Sequence, residues 1–209
     1  MKRIALTACL LLFFCALPSM AGFESVAEAL LSLEGQKTNA KKAYGYLLKC
    51  DPQSRRPMIL LRIAKKNMPK GNVVTRGCTF DYCVSLMGSW RVLEAVPFLL
   101  EHIDIRYDDF TYGKRRERET RVTEDFFPCL QAIRGIGKEA IPSLVDFVIL
   151  EGNTEKGKLA LSYLIRMSGK NEALKSVEES CSEKELFALK GLLAFGRGWH
   201  GGWVLESHE

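Results

Sequence analysis

Three histidines, an adjacent pair of aspartates, seven cysteines and one arginine-rich run are the side chains here whose chemistry goes beyond packing. Asp108 and Asp109 have the groups of a general acid and a general base. Such pairs work across a fixed gap of roughly 5–9 Å, which neighbours in a polar stretch hold only if something else orders them. His200 and His208, with Glu206, supply the donor types of a weak metal site. No C-x2-C pair or Cys beside a nearby His points to zinc. The tail from Trp199 to Glu209 has a simpler account, in which Trp199, Trp203 and Leu205 fold back over the apolar face of the last helices. His102 ends an apolar helical stretch, where a cation suits the helix dipole. No Ser or Cys stands at a spacing that would make it a catalytic base. Nucleophile elbow, phosphate loop and metalloprotease motifs are absent. The sequence thus yields no catalytic, metal or cofactor residue, and it reads as a non-enzyme. The alternative is an enzyme drawing carboxylates from Asp104–Asp109.

Asp104–Thr123, DIRYDDFTYGKRRERETRVT, is the strongest place for recognition. Tyr107, Phe110 and Tyr112 offer flat contact area, while Arg115, Arg116, Arg118 and Arg121 offer forked donors for carboxylates or phosphates. A solvated charged segment competes with this reading, with Glu117 and Arg121 forming an i,i+4 pair worth about 0.3–0.5 kcal/mol. Taken as a whole, the segment is expected to bind another protein with an acidic surface.

The elements that must position these groups begin with an export signal. Lys2 and Arg3 precede a 14-residue uncharged run, Ile4–Leu17, followed by Pro18 and the small-residue pattern Ser19-Met20-Ala21. That is the pattern of a secretory signal peptide over residues 1–21, and the run is short of the ~20 residues a membrane span needs. Cys9 comes too early in the run to be a lipidation site, so no stable membrane anchor is expected. The chain from Gly22 would be periplasmic or extracellular. The full chain of 209 residues carries 30 Lys and Arg against 25 Asp and Glu, a net +5. Removing Lys2 and Arg3 leaves +3, too little to argue for a nucleic-acid partner. Cys50, Cys78, Cys83, Cys129 and Cys181 remain, an odd number whose pairing, if any, the sequence leaves open.

Apolar spacing is helical along the rest of the chain. Val96, Leu99, Leu100 and Ile103 form one stripe, and Ile141, Leu144, Val145, Val148 and Ile149 another. Sustained alternation is not evident, so an all-α fold is expected. Glu24–Leu33, Thr38–Cys50 and Ser54–Asn67 fit helix hairpins of an N-terminal unit, residues 22–78. Pro69–Cys78 reads as a loop containing the β-favouring Val73-Val74-Thr75. Ser182-x-x-Glu185 is a capping box opening a helix through Ala194, within a C-terminal cap of residues 181–209. The glycines from Gly196 onward are expected to end it.

Between these units the chain repeats itself. Ala95-Val96-Pro97-Phe98-Leu99-Leu100 matches Ala140-Ile141-Pro142-Ser143-Leu144-Val145, 45 positions later. Ile133-Arg134, Gly137-Lys138 and Glu139-Ala140 match Ile165-Arg166, Gly169-Lys170 and Glu172-Ala173, with one inserted residue. Spacings of 32 to 45 residues suit a two-helix repeat, with Gly137 and Gly169 ending first helices and Pro97 and Pro142 in the first turn of second ones.

On these words the chain resembles the HEAT-repeat family, in the short bacterial form related to phycobilin-lyase repeats. The resemblance covers residues 79–180, interrupted at 104–123, and departs where Lys175 replaces the repeat proline. It implies a short α-solenoid of antiparallel helix pairs with a groove, and a protein-binding or scaffold role. The tetrapyrrole-handling and DNA-repair members of that family work inside the cell, where an exported chain would not meet their substrates.

Overall fold

The computed structural model describes residues 23–108 and 126–198. The leader reading on residues 1–21, the segment holding Phe110, Tyr112, Arg115, Arg116, Arg118 and Arg121, and the tail with His200, Glu206 and His208 lie outside the described residues. The chain is mostly helical, with eleven α-helices among the described residues.

The N-terminal unit consists of α1 (Val26–Ser32), α2 (Lys37–Leu48) and α3 (Pro57–Lys66). α1 and α3 start for local reasons. The Ser25 side chain accepts the Glu28 amide at the head of α1. Residues Pro52–Ser54 make a separate 3-10 turn capped by Asp51, so α3 begins at Pro57 rather than Ser54. A proline costs nothing there, because the first-turn amide has no partner in any helix. α3 buries Leu60, Leu61, Ile63 and Ala64.

α4 (Thr79–Ser89) takes α2 and α3 against its surface and lies along α6 (Pro128–Ile136). Small residues allow this last approach. A Cβ built on Gly88 would stand 2.7 Å from the Ala132 Cα, and one on Gly135 would stand 2.9 Å from the Gly88 carbonyl carbon. The two helices touch backbone to backbone. Neighbours as large as Phe80, Leu86 and Ile133 are fully buried in the same core.

Both repeated words adopt one local structure. A 3-10 turn, Leu93–Ala95, runs into α5 (Val96–Glu101), and a second, Lys138–Ala140, runs into α7 (Ile141–Glu151). Pro97 and Pro142 sit in the first turn of each helix, and Ala95, Ala140, Leu99 and Leu144 are all fully buried. Gly137 ends α6 at φ 94°, ψ −154°, and Gly169 ends α8 (Glu155–Ser168) at φ 88°, ψ 154°. These are mirror-extended conformations rather than the left-handed helical residue of the usual C-cap, and essentially only glycine adopts them. α5 packs on α6 and α7, α7 on α8 and α9 (Lys170–Ser180), and α8 on α9 and α11 (Lys190–Gly198).

Three expectations are corrected. Residues 73–74 and 106–107 are not loop but a short parallel pair, β1 and β2, with Val73 opposite Arg106 and Val74 opposite Tyr107. The capping box at Ser182 is present, yet its helix, α10 (Glu183–Ala188), stops at Leu189 instead of running through Ala194. Nothing in α10 is buried, whereas Leu189 is, and the bend there turns Leu192 and Leu193 of α11 inward. Gly196 and Gly198 lie inside α11. Gly196 is a packing position: a Cβ there would meet Leu161 and Leu174 at 2.9 Å.

The α4–α6 contact makes a paired test. Gly135→Ala should destabilise the chain by about 1–3 kcal/mol, since backbone must move to admit the methyl. Gly45→Ala, in α2 with nothing within 4 Å of the new Cβ, should stabilise it by about 0.4–1 kcal/mol. Chemical denaturation midpoints moving the same way in both variants would refute the close approach.

Candidate functional site: the polar clasp around the strand pair

The described part of the recognition segment, Asp104–Asp108, is the outer half of the parallel pair. Along it, Ile103, Ile105 and Tyr107 are buried, while Asp104, Arg106 and Asp108 turn outward. Two backbone hydrogen bonds fix the register, from the Arg106 amide to the Asn72 carbonyl and from the Asp108 amide to the Val74 carbonyl, each 2.9 Å. Outward carboxylates then fasten the two segments side by side. Asn72 Nδ2 donates to Asp104 Oδ2 and Thr75 Oγ1 donates to Asp108 Oδ2, both at 2.7 Å. Lys156 of α8 reaches the same corner, 3.3 Å from Asp104 Oδ1 and donating to the Glu101 carbonyl at 2.7 Å.

On the inner side Tyr107 is the centre. Its hydroxyl donates to Asp81 Oδ1 at 2.5 Å, while the Gly77 amide donates to the other carboxylate oxygen at 2.7 Å. The Arg76 guanidinium stacks over its ring at 3.6 Å. Burial, reinforced by the Asp81 carboxylate, pushes the Tyr107 phenol far above its usual range. At 4 % exposure, Tyr107 is not the flat contact surface that its place in the segment suggests. The correction has a simple cause: Asp81, 26 residues earlier, draws the hydroxyl inward.

The carboxylates therefore carry structure. Asp104 and Asp108 share one face of a strand, four residues and roughly 13 Å apart, outside the separation of a paired acid and base. Each is already engaged by a donor. His102 closes α5 edge-to-face on Phe98 at 4.8 Å. Its burial lowers its pKa below the ordinary histidine value, which favours the neutral ring over the dipole-matched cation the sequence suggests.

The five cysteines among the described residues are all free. Burial raises the thiols of Cys78, Cys83, Cys129 and Cys181, so these four are protonated at neutral pH. Among the described residues no group of three or more His, Cys, Asp or Glu side chains is placed to hold a metal ion. No described helix is long and apolar enough to cross a membrane. What the arrangement does chemically is pin the start of α4 to the end of α5. Sequence reading missed Asn72, Thr75, Arg76 and Asp81. The alternation Ile103-Asp104-Ile105-Arg106-Tyr107-Asp108 was the signal that leads to them.

Tyr107→Phe removes the bond to Asp81 and should cost about 1.5–3 kcal/mol. The pH dependence has a definite sign. A phenol held above its unfolded value of about 10 keeps its proton in the folded state, so stability falls as pH rises past 10. The Phe variant should therefore decline less steeply there. Parallel curves for the two proteins in alkaline denaturation would contradict the assigned bond.

Compared with protein-family models, curated proteins and solved structures, the chain matches none.

Proposed function

We propose that the chain is an exported protein-binding or scaffold module, built as a short α-solenoid of HEAT-like repeats. The observation that carries this reading is the packing of alternate helices. α4 lies on α6 and α5 lies on α7, while the two Ala-x-Pro words occupy the matching turn and helix of each pair. Stacks of this kind expose long helix faces and bind through them or through insertions on one side. The insertion after Asp108 leaves the stack from the polar clasp. A rigid base of that sort lowers the entropy lost when an attached segment engages a partner. Arg115, Arg116, Arg118 and Arg121 would meet acidic groups on another protein.

Two measurements test the reading. The chain and a variant with these four arginines changed to glutamine are immobilised and exposed to the exported protein fraction at low and high salt. A discrete partner should be held by the first and more weakly by the second, chiefly at low salt. Equal retention would move binding to the helix faces. Loss of any partner, together with hydrolysis of a polymer by the purified chain, would overturn the binding reading. N-terminal sequencing of the exported protein should begin at Gly22, and a chain still starting at Met1 would refute the leader.

A further inference from the structure

The charges are unevenly placed. Residues 23–78 hold eleven Lys and Arg against four Asp and Glu, while the other described residues hold twelve against fourteen. Within the first group, residues 55–70 contain six basic side chains and no acidic one. α3 arranges this run by face. Its inward arc is filled by Leu60, Leu61, Ile63 and Ala64. At 100° per residue Met58, Ile59, Arg62, Lys65 and Lys66 fall on the opposite arc, and all are exposed, Met58 by 61 % and Ile59 by 39 %. Arg56, just before the helix, is exposed as well. Lys66 pairs with Glu34 at 2.9 Å and Lys65 Nζ lies 5.8 Å over the Phe98 ring, but neither Arg62 nor Lys65 has a carboxylate partner among the described residues.

We propose that this outer face of α3 is a docking surface for an anionic lipid bilayer. Two observations favour lipid over an acidic protein. Lysine is depleted from protein–protein interfaces, whose centres are apolar and ringed by polar groups. Here the cations and the two apolar side chains are interleaved along one helix face, the pattern of helices that lie in the headgroup region. Met58 and Ile59 enter the boundary between headgroups and acyl chains, and Arg56, Arg62 and Lys65 take lipid phosphates. Lysine and arginine stems reach upward as the helix settles. The buried arc holds α3 in place beforehand, so no folding step accompanies binding. Contact is reversible, set by a few charges and two side chains. α3 precedes residue 79, so the proposal stands apart from the repeat reading.

Co-sedimentation of the full chain with vesicles of phosphatidylcholine mixed with phosphatidylglycerol tests it, with phosphatidylcholine alone as reference. Binding should favour the anionic vesicles and weaken with salt. Arg62→Gln with Lys65→Gln should lower affinity for them by about twenty-fivefold, at about fivefold per cation. Met58→Ser with Ile59→Ser should weaken, relative to the wild type, the binding that persists at high salt. These side chains are exposed, so thermal melts should match the wild type and exclude misfolding. Residues 1–21 are common to every variant, so their contribution cancels in the comparison. If the charge variant binds anionic vesicles as well as the wild type, the proposal is overturned. It is equally overturned if soluble polyglutamate binds in an Arg62- and Lys65-dependent way while vesicles do not, since the face would then take an acidic protein.

Discussion

The absence of two Cβ atoms, at Gly88 and Gly135, is the constraint on which the rest of the chain depends. Side chains of ordinary size would hold α4 and α6 the usual 8–10 Å apart. With glycine at both crossing positions and Ala132 beside them, the backbones meet. Dispersion contacts between small atoms are individually weak, but a closer crossing lets every larger neighbour close too. Tight interiors do not forgive a methyl group, because the atoms it would displace are backbone and cannot rotate away. The contact is also the chief link between the two described stretches of chain. α4 gathers the N-terminal helices, and α6 leads through Gly137 into the C-terminal ones.

A second tie, polar where the first is apolar, secures the edge. The strand pair is only two residues long on each side and would not persist in water by itself. It persists because Ile105 and Tyr107 are buried, two side-chain hydrogen bonds from Asn72 and Thr75 bridge it, and a third ties Tyr107 to Asp81 of α4. The Asp81 carboxylate, inside α4, accepts from Tyr107 on one side and from the Gly77 amide on the other. Tyr107 is the buried member, and without the Asp81 acceptor its hydroxyl would pay the cost of leaving water unpaired.

The pieces legible in the sequence were those whose determinants are local. Pro97 and Pro142 announce first turns, Gly137 and Gly169 announce helix ends, and Ser182 with Glu185 makes a capping box, each within a few residues of what it controls. The pieces that were not legible depend on distant partners. Tyr107 looks like a surface aromatic until Asp81 is placed beneath it. Leu189 looks like one more apolar position in a continuing stripe, and only the core shows that it must turn inward and break the helix. Gly196 reads as a stop signal by composition, whereas Leu161 and Leu174 make it a spacer. The alternation at Ile103–Asp108 was present throughout, but a stretch that short gains meaning only when Val73 and Val74 lie alongside.

The free thiols carry a consequence for where this chain can fold. Cys83 and Cys129 are fully buried and no cystine cross-links the described helices. The contacts that hold the described helices together therefore include no bond that a change of redox potential would make or break. Among the described residues glutathione has no cystine to reduce, and an oxidising compartment has no obligatory bond to form. The described helices therefore need neither an oxidant nor a disulfide isomerase to reach their packing, and they escape the slow reshuffling that delays many secreted domains.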